Sequence, residues 1–318
     1  MRTFRSIPSA TAELIEIPSE DGLVLNLYRL AGGHDRPAVL FGHACGFAAG
    51  SYLPLLARLT AVADVFAFDA RGHGGSDAPS GDLSIYSPSH YARDLARIAQ
   101  AVAERKDGAA MFYVGHSLGA AAVLRLGSFH TAEFGRIPWR ALLLFEPPIF
   151  PPPEHPYYAE SQAEDRQLVE RTRNRRAHWP SAAAFAAALA GRGVFKHVGA
   201  EFLRAHAAAG LRPDAKGSGY DLCCPPAVEA RTFQAFNEPS AFDALSRFPA
   251  GLPLHLIGGD AAGPRRSWVT LMAPEIAARL GCGSASRRFT ALPGRGHLMV
   301  QEDPEMTQRL VHNLISSF

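Results

Sequence analysis

The sequence predicts an α/β protein: a mostly parallel sheet of eight strands with helices on both faces. Three observations carry this. Short, wholly apolar runs at 38–41, 111–114 and 141–145 have the length and composition of strands buried on both faces. Helical stretches lie between such runs, and the one at 89–105 places Leu95, Ile98, Ala99 and Val102 on a single stripe. Finally, Gly115-His116-Ser117-Leu118-Gly119 joins the apolar run at 111–114 to an alanine-rich helix at 120–129. That is the setting of a sharp strand-to-helix bend with a serine at its apex.

Taken in order, residues 12–18 and 23–30 read as a hairpin closed at Ser19-Glu20-Asp21-Gly22, at one edge of the sheet. Arg36-Pro37 leads into the strand at 38–41. A helix at 52–60, a strand at 62–68 and a Gly-rich turn at 69–76 follow. The turn lacks the spacing of a phosphate cradle, so its glycines read as backbone bends. Asp107-Gly108 ends the next helix and returns the chain to the serine-bearing bend. The strand at 141–145 stops abruptly at Glu146-Pro147-Pro148, a position where a buried carboxylate would be costly unless paired. From 147 to 248 the strand rhythm lapses. Pro151-Pro152-Pro153 is followed by helices near 162–176, 181–190 and 200–209, then by Tyr220-Asp221-Leu222-Cys223-Cys224-Pro225-Pro226. Strands resume at 252–257 and 287–292 around a helix at 268–280, and Asp303 caps a last helix at 304–316 with Pro304 at its first position.

The 318 residues, 47% of them hydrophobic, suffice for one large core with an inserted lobe. A charged fraction of 19% and a formal net charge of +2 give no sign of a nucleic-acid or anionic-membrane partner, and the partner expected is a small-molecule substrate. Residues 1–8 lack the apolar core of a signal peptide, and no run is long enough to span a bilayer, so the expectation is a cytoplasmic protein with no integral membrane segment. Cys45, Cys223, Cys224 and Cys282 show neither a disulfide framework nor metal spacing, and the thirteen histidines form no ligand pair. No cofactor and no metal are expected. The pattern specifies no oligomeric state.

Six motifs stand in a fixed order: Gly42-His43-Ala44-Cys45-Gly46-Phe47, Asp69 to Ser76, the Ser117 bend, Glu146, Gly258-Gly259-Asp260 and Gly296-His297. Together they resemble an α/β-hydrolase over nearly the whole chain. The resemblance implies a catalytic set of Ser117 as nucleophile, His297 as base and a carboxylate at one of two strand tips, Glu146 or Asp260. Two details favour Glu146. The Gly258-Gly259-Asp260 loop is compressed, which puts Ala261 at the usual acid position, and Glu146 ends its strand without slack beside the bend. The resemblance also implies an oxyanion hole made by the backbone N–H groups of Leu118 and Cys45, although Ala44 stands where a glycine is usual. It further implies a helical cap at 147–248 on a core of 1–146 and 249–318, inserted after the sixth strand.

A serine hydroxyl needs an adjacent base, and the base needs a carboxylate to fix its tautomer. The reaction so implied is hydrolysis of a carboxylic ester or lactone through an acyl-enzyme. Cleavage of a C–C bond or an amide by the same residues is the alternative, and a weakly catalytic ligand receptor is the alternative from another class. Dehalogenase and epoxide hydrolase chemistry is disfavoured because members of both carry aspartate where this chain has Ser117. Among the remaining polar residues, His43 reads as ordering its loop and His116 as pointing elsewhere. Arg166, Arg171, Arg173, Arg175 and Arg176 read as the solvated face of a helix, with an anion-binding patch as the alternative.

Overall fold

A computed structural model describes residues 4–30 and 33–318; residues 1–3 of the N-terminal stretch considered above lie outside them. In chain order the strands are β1 (Ala12–Pro18), β2 (Val24–Leu30), β3 (Ala38–Gly42), β4 (Asp64–Phe68), β5 (Met111–His116) and β6 (Trp139–Phe145). Then come β7 (His178–Trp179), β8 (Leu211–Pro213), β9 (Tyr220–Leu222), β10 (Leu254–Gly258) and β11 (Arg287–Ala291). Eight form one sheet in the order β1-β2-β4-β3-β5-β6-β10-β11. Only the β1–β2 and β2–β4 pairings are antiparallel; the rest are parallel. The hairpin and the eight strands are those read from the sequence.

The apolar runs follow from a sheet covered twice. Leu40, Phe66, Tyr113, Leu142 and Leu144 pack on one side with Leu95 and Ile98 of the helix Pro88–Arg105 and with the helix Leu118–Phe129. Their neighbours Val39, Phe41, Val65, Val114 and Leu143 pack on the other with Leu55 and Leu59 of the helix Leu53–Leu59 and with Val311 of the helix Pro304–Ser316. Successive strand residues face opposite sides, so two apolar faces leave no polar position in the run. The last helix begins as its sequence indicates, with the Asp303 carboxylate accepting from the Met306 N–H and Pro304 in the first turn.

Between β6 and β10 the chain forms the helices Tyr158–Arg173, Ala182–Leu189, Ala200–Gly210 and Pro226–Phe236, with a small antiparallel sheet ordered β7-β9-β8. The sheet and the Pro226–Phe236 helix were not legible in advance. Strands of two or three residues have no measurable period, and Pro225-Pro226 reads as a break although proline is well suited to the first turn of a helix.

The Gly-rich turn at 69–76 is held from inside. Arg71 is buried and bonds Asp94, Asp21 and the Ile85 carbonyl. Asp69 is buried too, accepting from Ser6 Oγ, Tyr28 Oη and the N–H groups of Ala49 and Gly75, and burial pushes its carboxyl up to about 6. These bonds join the turn to the loop after β3, which borders the site described next. Among the described residues no helix is long and apolar enough to cross a membrane.

Candidate active site

β5 ends one residue before Ser117, whose φ of 52° and ψ of −113° lie outside the regions comfortable for a side chain. The helix Leu118–Phe129 starts at the next residue, so the hydroxyl sits at the apex of the bend. Both flanking glycines are required by contact: a Cβ on Gly119 would lie 2.4 Å from the Gly42 carbonyl oxygen, and one on Gly115 would lie 2.8 Å from the Ala120 nitrogen. The bend is tied to both neighbouring strand ends. Ser117 donates its N–H to the Phe145 carbonyl at 2.8 Å, and Gly119 donates to that of His43 at 3.0 Å.

His297, on the loop after β11, faces Ser117 with Nε2 3.0 Å from Oγ. Its Nδ1–H points to Glu146 Oε2 at 2.8 Å, and Glu146 Oε1 accepts the Gly259 N–H at 2.7 Å. Glu146 is fully buried and itself takes a φ of 40°. Of the three described non-glycine residues with positive φ, two are therefore Ser117 and Glu146; strain of about 1–3 kcal/mol per residue collects where side chains must be aimed. Asp260, the other carboxylate weighed from the sequence, does not reach His297. It is half-buried, with Oδ1 on the Ala262 N–H at 3.1 Å and Oδ2 on the Gly294 N–H at 2.9 Å. Gly259 was not recognised as part of the site. A Cβ there would come within 2.8 Å of Glu146 Oε1 and 2.7 Å of the Arg295 carbonyl, so the Gly258-Gly259 pair was the available signal.

Ser117, His297 and the loop residues Ala44 to Phe47 border a cavity of about 560 Å³. Cys45 and Leu118 line it as well, and neither backbone N–H has an acceptor among the described residues. Much of the opposite wall comes from residues 147–248, including Trp179, Phe185, Phe195 and Phe236. The Cys45 thiol is directed toward the Glu229 carbonyl at 4.0 Å, and burial, reinforced by the Glu229 charge, pushes it well above the usual thiol range. It stays protonated. All four cysteines are free.

A family model described as the alpha/beta hydrolase family matches residues 30–307. The chain belongs to this family. Among curated proteins nothing matches it by sequence. Similar solved structures include E-2-(acetamidomethylene)succinate hydrolase, at a TM-score of 0.73 and 21% identity, covering 96% of this chain and 99% of that one. An esterase from Rhodococcus sp. ECU1013 gives 0.66 and 19%, covering 96% and 98%, and a thioesterase domain from the curacin biosynthetic pathway gives 0.67 and 19%, covering 95% and 99%. At such identities these structures share the fold.

In this alpha/beta hydrolase two polar side chains of the cavity wall, Glu229 and His206, are buried and paired. Glu229 is buried, and Arg175 Nη1 meets its two carboxylate oxygens at 2.8 and 2.7 Å. His206 is buried among Phe47, Phe185 and Phe195, with Nδ1 3.0 Å from Ser51 Oγ, and burial pushes its pKa down to about 3, so the ring is neutral. The arginine series divides. Arg166 and Arg173 are exposed as expected for a solvated helix face, but the helix stops at Arg173, and the turn that follows brings Arg175 onto Glu229 and stacks Arg176 on Trp179. His43 does order its loop: Nδ1 donates to the Ala44 carbonyl at 2.7 Å, and Nε2 accepts the Ala70 N–H at 2.9 Å. The His116 ring does not line the cavity; it lies 5.1 Å from that of His297 and reaches the His297 carbonyl. Among the described residues no cluster of three or more His, Cys, Asp or Glu side chains is placed to share a metal ion.

Proposed function

We propose that the chain is a serine hydrolase that cleaves a carboxylic ester or lactone of a small, largely apolar substrate through an acyl-enzyme. The single observation that carries this reading is the continuous path from Ser117 Oγ through His297 to Glu146, at 3.0 and 2.8 Å. His297 Nε2 takes the serine proton as Oγ attacks the carbonyl carbon, and Glu146 holds the Nδ1–H tautomer and stabilises the imidazolium. The N–H groups of Cys45 and Leu118 receive the oxyanion; having no acceptor among the described residues, they donate without first breaking a bond. The imidazolium then protonates the leaving alcohol. Water, activated by the same ring, releases the acid and frees the serine.

In this reading residues 147–248 are a cap on the core of 1–146 and 249–318. The aromatic wall they contribute supports an apolar acyl or alcohol group and shields the reacting carbonyl from bulk solvent while leaving room for the one hydrolytic water. The same residues would serve an amide or a C–C bond next to a carbonyl, and one panel separates the cases. Esters, lactones, amides and diketones of matched size are assayed beside active-site titration with a fluorophosphonate. The ester reading requires stoichiometric labelling with multiple turnover on esters or lactones, and loss of turnover by ~10⁶-fold in Ser117→Ala. Preference for amides or diketones would change the substrate class, whereas labelling with no turnover anywhere would make the protein a receptor.

A further inference from the structure

Two fully buried side chains beside the site play no part in the proposed chemistry. Tyr52 follows the loop after β3, and His116 is the last residue of β5. Neither lines the cavity. They form a chain of three hydrogen bonds: the Ala44 N–H meets Tyr52 Oη at 3.2 Å, Tyr52 Oη meets His116 Nδ1 at 2.7 Å, and His116 Nε2 meets the His297 carbonyl at 2.9 Å.

The protons in this chain have one consistent placement. A carbonyl can only accept, so His116 Nε2 carries the hydrogen and donates to His297. Burial, reinforced by the neighbouring His297, holds the His116 pKa well below its usual value, so the ring is neutral and Nδ1 is an acceptor. The phenol, whose own pKa burial raises, must then donate its hydrogen to Nδ1, which leaves its oxygen to accept the Ala44 N–H. Gln301 is another polar neighbour that acts on the phenol through its side chain, although neither of its amide atoms makes a hydrogen bond of good geometry among the described residues. Were the hydroxyl hydrogen turned toward Gln301, two lone pairs would face each other across 2.7 Å.

Both ends of the chain are backbone of the site. The Ala44 carbonyl accepts from His43 Nδ1 and from the Phe47 N–H, and a trans peptide directs the N–H of Cys45 the opposite way. Holding the Ala44 N–H as well fixes the strand of backbone from which the Cys45 N–H projects. At the far end, the bond to the His297 carbonyl fixes the main chain that carries the imidazole.

We propose that Tyr52 and His116 are positioning residues: a relay that sets the distance between the oxyanion donor at Cys45 and the base His297 without either side chain touching substrate. The proposal rests on the acyl-enzyme reading. Its cost of failure is geometric, since a misplacement of about 1 Å in such a site lowers turnover by ~10²-fold.

The first test uses the unaltered protein. Imidazole nitrogen NMR should show His116 protonated on Nε2, bare on Nδ1, and not titrating between about pH 5 and pH 9. A Nδ1–H tautomer or a titrating ring overturns the relay. The second test uses Tyr52→Phe, which removes one oxygen from a buried ring, and His116→Leu. Each is expected to lower kcat ~10–10²-fold with KM for a short ester little changed, and the double variant should be no slower than the worse single, because either break opens the whole chain. His116→Gln, which can still donate to the His297 carbonyl, should recover part of the loss. Wild-type kcat in Tyr52→Phe, or losses that multiply in the double variant, sink the relay alone. Turnover surviving in Ser117→Ala sinks the acyl-enzyme reading and the relay with it.

Discussion

Glu146 and Asp260 follow two hydrogen-bonded parallel strands, β6 and β10, at the same end of the sheet, yet their environments share almost nothing. Glu146 comes directly after Phe145, is fully buried, and divides its two oxygens between His297 and the Gly259 N–H. Asp260 stands two residues beyond Gly258, half-buried, with its carboxylate spent on its own turn and on Gly294. The difference teaches that a strand tip offers a location but does not aim a side chain. Aim comes from the backbone, a φ of 40° at Glu146, and from reach, since glutamate has one methylene more than aspartate. It also comes from the absence of a closer donor to satisfy the group first.

Three substitutions would break or sharpen this contrast. The largest effect is expected for Glu146→Gln, which keeps the shape but cannot fix the His297 tautomer; kcat on a reactive ester should fall by ~10⁴-fold. A value near wild type would remove Glu146 from the mechanism. Gly259→Ala comes next. The added methyl would collide with the Glu146 carboxylate and the Arg295 carbonyl, so turnover should fall by ~10²-fold through displacement of the acid, with fluorophosphonate labelling slowed in step. Labelling and turnover both at wild-type rates would mean that the Gly259 contact does not hold the acid. The smallest effect belongs to Asp260→Asn. Its carboxylate bonds only its own turn and Gly294 and does not reach His297, so kcat/KM should stay within about threefold of the parent. If Asp260→Asn is crippled and Glu146→Gln is not, the roles exchange.

How far the sequence could be read differs between the sheet and the segment at 147–248. The central strands were legible because burial on both faces removes polar residues from a run such as Leu142-Leu143-Leu144, and Gly115 and Gly119 were legible because close approach of strand and helix excludes a Cβ. In the segment at 147–248, single long-range contacts decide the outcome. Arg175 leaves the series of solvated arginines only because the helix ends at Arg173 and Glu229, more than fifty residues later, awaits it. The contacts of Gly259 and of His116 were not read in advance. Both act through hydrogen bonds to residues over a hundred positions away in the chain, Glu146 and His297, which no local pattern reports.

By itself the sequence determined the sheet, its hairpin edge, the serine bend and the loop that carries His297, because each follows from hydrophobic period, glycine placement and turn chemistry within a dozen residues. The tertiary structure alone decided which of two carboxylates meets the imidazole, which wall the cavity has, and that Tyr52 and His116 connect Ala44 to His297. Those outcomes depend on distances between segments far apart in the chain, and such distances exist only once the sheet has brought the strand ends together.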